Sequence, residues 1–94
     1  MPHIYILRCA DNSYYVGSTR NLEHRMEQHL SGEGADYTRK RQPVVLVFAE
    51  EYEHIHEAYE REKQIQGWSR RKREALIDGR FADLKPLSRK NFQG

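Results

Sequence analysis

The chain opens on HIYILRCADNSYYVGST, His3 to Thr19, and nothing else in its 94 residues constrains the fold as tightly. Ile, Tyr, Leu and Val flank Asp11-Asn12-Ser13, a cluster of turn formers. The stretch predicts two strands, His3 to Ala10 and Tyr14 to Ser18, closed by a hairpin turn. Faces alternate along a strand. Tyr5, Leu7 and Cys9 share one face of the first strand, and Tyr15 and Gly17 share one face of the second. If the loop is Asp11-Asn12, position 9 pairs with 14 and Tyr5 and Tyr15 lie on opposite faces. If Ser13 joins the loop, 9 pairs with 15 and 7 with 17, and the two tyrosines share a face. A glycine within a strand weakens the sheet and marks a close approach to the backbone, which singles out Gly17. Simple packing is the commoner fate of strand tyrosines.

Beyond the hairpin, Asn21 can cap a helix from Leu22 to Leu30, which Ser31-Gly32-Glu33-Gly34 ends. Ala35 to Gln42 is polar and basic and reads as a loop. Pro43 opens PVVLVFAEEY, an apolar run rich in β-branched residues, expected to be a central or well-covered strand. A helix follows from Ile55 to Gln66 and breaks at Gly67-Trp68. Ser69 can cap a last helix from Arg70 to Asp78, with Gly79 just past its end. The order is β-β-α-β-α-α. It suits an α/β domain with helices packed on a three-stranded antiparallel or mixed sheet. The domain is placed at residues 1–84, with a C-terminal tail over 85–94.

Hydrophobic residues make up 37% of the chain, enough for one modest core. The formal charge is only +2, but its distribution is uneven. Acids gather between Glu50 and Glu62, and bases gather in Arg39-Lys40-Arg41 and Arg70-Arg71-Lys72-Arg73. A basic patch on a nearly neutral protein is a nucleic-acid footprint. The single cysteine, Cys9, allows no disulfide framework within the chain. No run approaches the ~18 apolar residues of a membrane helix, and no leader pattern opens the chain. The expectation is a cytoplasmic protein with no membrane partner. Five histidines and one cysteine at these spacings match no zinc-finger pattern.

Three helices carry charge where apolar residues are expected. Leu22, Met26 and Leu30 form the stripe of the first, and Arg25 and His29 lie on its inner edge. On the second, Ile55, Ala58, Tyr59, Ile65 and Gln66 share a face, and Glu62 falls about 20° from Ile55, inside that stripe. A carboxylate there requires a cation, either Arg25 or a metal ion. The last helix begins with Arg70 to Arg73, against its own dipole, which suits a phosphate. Solvated charge runs and a half-buried structural histidine are the plain alternatives.

His3-Ile4-Tyr5, then Tyr15-Val16-Gly17 ten residues after Tyr5, then RMEQH from Arg25 to His29, then AYERE ending on Glu62, together resemble a GIY-YIG nuclease domain. GADYTRKRQPVVLVFAE and REKQIQGWSRRKREALI resemble the small stand-alone bacterial members. The similarity spans about residues 2–80, and His3 stands where the first motif has glycine. It implies a small three-stranded antiparallel sheet flanked by helices. It also implies a metal-dependent endonuclease that hydrolyses phosphodiester bonds with one divalent ion, Mg²⁺ or Mn²⁺. Tyr5, Tyr15, Arg25 and His29 match the catalytic positions, and Glu62 matches the metal ligand. No residue is assigned to the family's late asparagine, since Asn91 lies too far along.

In that light Arg25 neutralises charge on the phosphate. Tyr5, its pKa lowered from about 10, takes the proton of the attacking water, with Tyr15 as its hydrogen-bond partner. His29 orients a tyrosine or touches the phosphate. Gly17, Thr38, Arg39, Lys40, Arg41, Arg71 and Lys72 are expected to meet the nucleic acid, DNA favoured over RNA, with low sequence specificity. A protein partner that supplies specificity is compatible with the pattern. A binding module without catalysis, or a protein-interaction domain anchored on Trp68, are the competing readings; Trp68 serves equally as a core plug.

Overall fold

The computed structural model describes residues 1–80. Three strands, β1 (His3–Arg8), β2 (Tyr14–Thr19) and β3 (Val45–Glu51), form one antiparallel sheet in the order β2-β1-β3. Helices α1 (Leu22–Leu30) and α2 (Asp36–Arg39) lie between β2 and β3, and α3 (Ile55–Gln66) and α4 (Arg70–Ile77) follow β3. The expected element order holds, with α2 added inside the segment read as a loop. The tail expected over 85–94, and Asn91, lie outside the described residues.

β1 is the central strand, and this corrects the expectation for β3. Ile4 and Ile6 enter one core with Val16, Ala58, Ile65 and Leu76. Tyr5, Leu7 and Cys9 enter a second, on the other face, with Val44 and the flanking Tyr15, Leu22 and Met26. A strand buried on both faces must be apolar where it is covered, and β1 is so from Ile4 to Leu7. β3 has the same composition but sits at the edge, with Val45 and Leu46 about half exposed. A short apolar run does not distinguish these two places. Helices α3 and α4 cover the first core and α1 covers the second. Leu30, assigned to the α1 stripe, and Tyr59, assigned to that of α3, are exposed instead.

The hairpin adopts neither expected register. Tyr5 pairs with Gly17, Leu7 with Tyr15 and Arg8 with Tyr14. Cys9 N–H donates to the Ser13 carbonyl at 2.8 Å, so the turn is Ala10-Asp11-Asn12 and Ser13 is bonded to the strand. Asn12 takes φ +70°, a left-handed position that Asn tolerates and that three-residue hairpin loops require. Asp11 accepts from both the N–H and the hydroxyl of Ser13 and fixes the turn. The shift is two residues from the three-residue alternative, so side-chain parity is kept and Tyr5 and Tyr15 share a face.

Asn21 caps α1 by accepting from His24 N–H at 3.0 Å, and Ser69 caps α4 by accepting from Lys72 N–H at 3.2 Å. Arg73 closes the other end of α3, donating to the carbonyls of Ile65 and Gln66. Among the described residues, no helix is long and apolar enough to cross a membrane.

Candidate active site

Tyr5, central in the sheet, points away from α3 and α4 towards α1. Its pairing partner is Gly17, and a Cβ on Gly17 would lie 2.5 Å from the Tyr5 hydroxyl. The space over Gly17 therefore holds the Tyr5 phenol, not substrate, which corrects the role expected for that glycine. Tyr5 is 2% exposed, and its hydroxyl lies 3.0 Å from His29 Nε2.

His29 is fully buried. Its Nδ1 lies 2.9 Å from Thr38 Oγ1, and that hydroxyl donates to the Ala35 carbonyl at 3.0 Å. A hydroxyl has one proton to give. With it spent on Ala35, Thr38 Oγ1 accepts from His29 Nδ1–H. Nε2 is then unprotonated and accepts from Tyr5 O–H. The chain of bonds fixes one tautomer, an assignment that follows from the partners. Burial, and then the charge of Arg25, hold the imidazole below its ordinary pKa, so it is neutral. Thr38, expected at the nucleic acid, is buried behind His29 and sets its orientation. Gly34 supplies the remaining room, since a Cβ there would run into His29 Nδ1.

Tyr15 stands beside this pair, with ring centroids 6.3 Å from Tyr5 and 5.6 Å from His29. The hydrogen-bond partner of Tyr5 is thus His29, not Tyr15. Burial pushes the Tyr5 phenol well up; Tyr15 and Glu62 add to the rise and Arg25 opposes it. Tyr15 is raised too, by burial and then by Glu62, again against Arg25. Within the protein itself, burial outweighs the one guanidinium, so Arg25 alone does not lower either phenol.

Glu62 reaches this cluster from the other side of β2. Ser18, one residue beyond Gly17, faces α3 and donates to Glu62, and Gln66 Nε2 donates to its second oxygen at 2.9 Å. Arg25 and Glu62 form no direct ion pair among the described residues. Arg25 Nε is buried with no hydrogen-bond partner, a donor held without an acceptor. A buried donor without a partner costs about 1–3 kcal/mol, and a phosphate oxygen is an acceptor that fits it. No three His, Cys, Asp or Glu side chains among the described residues cluster as a metal cage. One carboxylate, completed by water and phosphate oxygens, is nonetheless an arrangement that suits Mg²⁺.

The basic residues divide. Arg39 is exposed and pairs with Asp36, and Lys40 and Arg71 are exposed. Lys72 is buried, with Nζ 4.1 Å from the centre of the Trp68 ring, so it does not present itself to a nucleic-acid backbone. Arg70 pairs with Glu74 and covers the Tyr14 ring. With Arg73 capping α3, Arg70, Lys72 and Arg73 at the start of α4 all have partners within the protein, and Arg71 is exposed there. Trp68 packs on the α3 core beneath Lys72 and Arg61 as a plug between helices.

Sequence reasoning missed Tyr37. Its ring stacks on Tyr15, with centroids 6.0 Å apart, and carries Arg41 on it at 3.8 Å. The only local signal was an aromatic within a polar, basic stretch.

A three-stranded antiparallel sheet that brings together a central tyrosine on a neutral histidine, a second tyrosine, a buried arginine and a carboxylate is the setting in which the class is found, the GIY-YIG catalytic domain. Residues 1–75 match the GIY-YIG catalytic domain model, and the chain belongs to that family. It is 45% identical over 75 residues to a UPF0213 protein of Natronomonas pharaonis, covering 80% of this chain and 88% of that one. A UPF0213 protein of Staphylococcus haemolyticus is 44% identical over 78 residues, covering 83% and 95%. The solution structure of a UPF0213 protein from Bacillus halodurans superposes with TM-score 0.56 at 38% identity, covering 94% of this chain and 98% of that one.

Proposed function

We propose that the protein is a metal-dependent endonuclease that hydrolyses phosphodiester bonds, in DNA by preference over RNA, with low sequence specificity. The observation that carries this reading is the directed chain from Tyr5 O–H through neutral His29 to Thr38, with Arg25 and Glu62 within electrostatic reach.

The raised pKa of Tyr5 argues against a standing phenolate and for a relay. Water attacks phosphorus and passes its proton to Tyr5 Oη, while Tyr5 passes its own proton to His29 Nε2. The P–O bond to the leaving oxygen breaks, and that oxygen takes a proton from solvent. The imidazolium keeps its Nδ1–H bond to Thr38. Its depressed pKa makes proton return to solvent easy, which resets the site. Arg25, with its unpaired Nε, binds the non-bridging oxygens and counters the charge that builds on them. A single Mg²⁺ or Mn²⁺ held by Glu62 supplies charge neutralisation at the phosphate and the leaving oxygen when bound. Arg39, Lys40 and Arg71 hold the backbone on either side without reading bases.

Purified wild type, Glu62→Ala and Arg25→Ala on labelled DNA and RNA test this. Wild type is expected to cut in Mg²⁺, with each variant slower by about a hundredfold or more. Equal cutting by all three identifies a contaminant and ends the reading. Salt-sensitive binding without cleavage in any metal marks a binding module instead.

A further inference from the structure

Arg41 is among the basic residues assigned to the nucleic-acid backbone from the sequence, yet its guanidinium is occupied on three sides. Nε donates to Asp11 Oδ2 at 3.0 Å, Nη1 donates to the Tyr37 carbonyl at 3.0 Å, and the plane lies over the Tyr37 ring. The backbone repeats the tie, since Ala10 N–H donates to the Arg41 carbonyl at 2.9 Å. The end of α2 is thus fastened to the β1–β2 turn by both main chain and side chain. The beneficiary is Tyr37, which is 37% exposed and so is not held by burial alone. Its stacking partner is Tyr15, whose ring touches the Tyr5–His29 pair on its other side. A half-exposed Asp–Arg pair adds little stability by itself. Its planar fork does fix direction, which a lysine at the same position would not.

We propose that Arg41 and Tyr37 are positioning residues. Arg41, anchored on Asp11, clamps Tyr37 onto Tyr15 and so holds the Tyr15 ring in place beside Tyr5 and His29. The effect on rate rests on the nuclease reading; the effect on the Tyr15 ring does not.

Two measurements on the full chain test it. In NMR spectra, wild type shows an NOE between the Tyr15 and Tyr37 rings. Arg41→Ala, which leaves both rings present, is expected to lose that NOE and shift the Tyr15 ring protons while amide signals of α3 and α4 stay in place. Asp11→Asn is a milder variant and is expected to weaken the same NOE. In single-turnover cleavage, Arg41→Ala and Tyr37→Ala are expected to lower the rate constant by about tenfold or more, with KM and salt slope unchanged. Tyr37→Phe keeps the ring and is expected to restore the wild-type rate. An unchanged Tyr15–Tyr37 NOE in both Arg41→Ala and Asp11→Asn overturns the proposal. So does an Arg41→Ala enzyme with normal rate constant, raised KM and a salt slope lower by about 1, the signature of a phosphate contact. If wild type cuts nothing while Arg41→Ala loses the NOE, the nuclease reading falls and the clamp stands.

Discussion

His29 shows how a single residue acquires its role from what surrounds it. An exposed histidine on α1 would titrate near its ordinary pKa of about 6.5 and hold either tautomer. Here burial and then Arg25 leave it neutral, and Thr38 and Tyr5 leave Nε2 open to accept. The sign of the linkage follows. The unfolded chain takes up a proton at His29 at higher pH than the folded one does, so stability is lost as pH falls below about 6.5 towards the depressed folded value. Chemical denaturation between pH 8 and 5 should show a steeper fall for wild type than for His29→Gln, whose side chain does not titrate. Parallel curves would mean that the folded His29 is not held neutral. That His29 lay on the inner edge of α1 was legible from spacing alone. Its tautomer was not, because the residues that set it, Tyr5 and Thr38, arrive from β1 and α2.

The element that decides the site is α2, which is four residues long and was read as loop. It has no apolar periodicity, and a short helix gains little from propensity. What holds it is tertiary: Thr38 behind His29, Tyr37 on Tyr15, Arg41 on Asp11, and Gln42 Nε2 donating to the His29 and Thr38 carbonyls. None of these pairings is local enough to mark the sequence. Thr38→Val keeps the shape and removes the acceptor for His29 Nδ1–H. It should cost about 1–3 kcal/mol of unfolding free energy and slow cleavage. Wild-type stability in that variant would show that the Thr38 bond does not set His29. The hairpin was legible to a finer degree. The turn residues could be read, but neither the register nor the face shared by Tyr5 and Tyr15 could be decided, because Asn12 at positive φ moves the turn one residue earlier than Asp11-Asn12-Ser13 implies.

At the scale of the molecule, the sheet separates two cores, one on each face. The α3 and α4 side stores most of the apolar mass, and the α1 and α2 side carries tyrosine, histidine and arginine. Glu62 and Ser18 meet at the β2 edge, where a carboxylate from one side comes into electrostatic reach of phenols on the other. Arg25, His29 and Glu62 were readable as candidates because each sat where its helix should have been apolar. The division of the basic residues was not. Whether Arg70, Lys72 and Arg73 face solvent or their own neighbours depends on Tyr14, Trp68 and the end of α3, which lie far away in sequence for Tyr14 and are side-chain specific for the rest. The central claim is that Tyr5 hands its proton to His29 during phosphodiester hydrolysis. Single-turnover cleavage of labelled DNA in Mg²⁺ by wild type and Tyr5→Phe tests it most directly, because phenylalanine keeps the ring and removes only the hydroxyl that takes up and passes on the proton. The relay predicts a rate lower by about a hundredfold or more with unchanged DNA affinity; equal rates for the two proteins would contradict it.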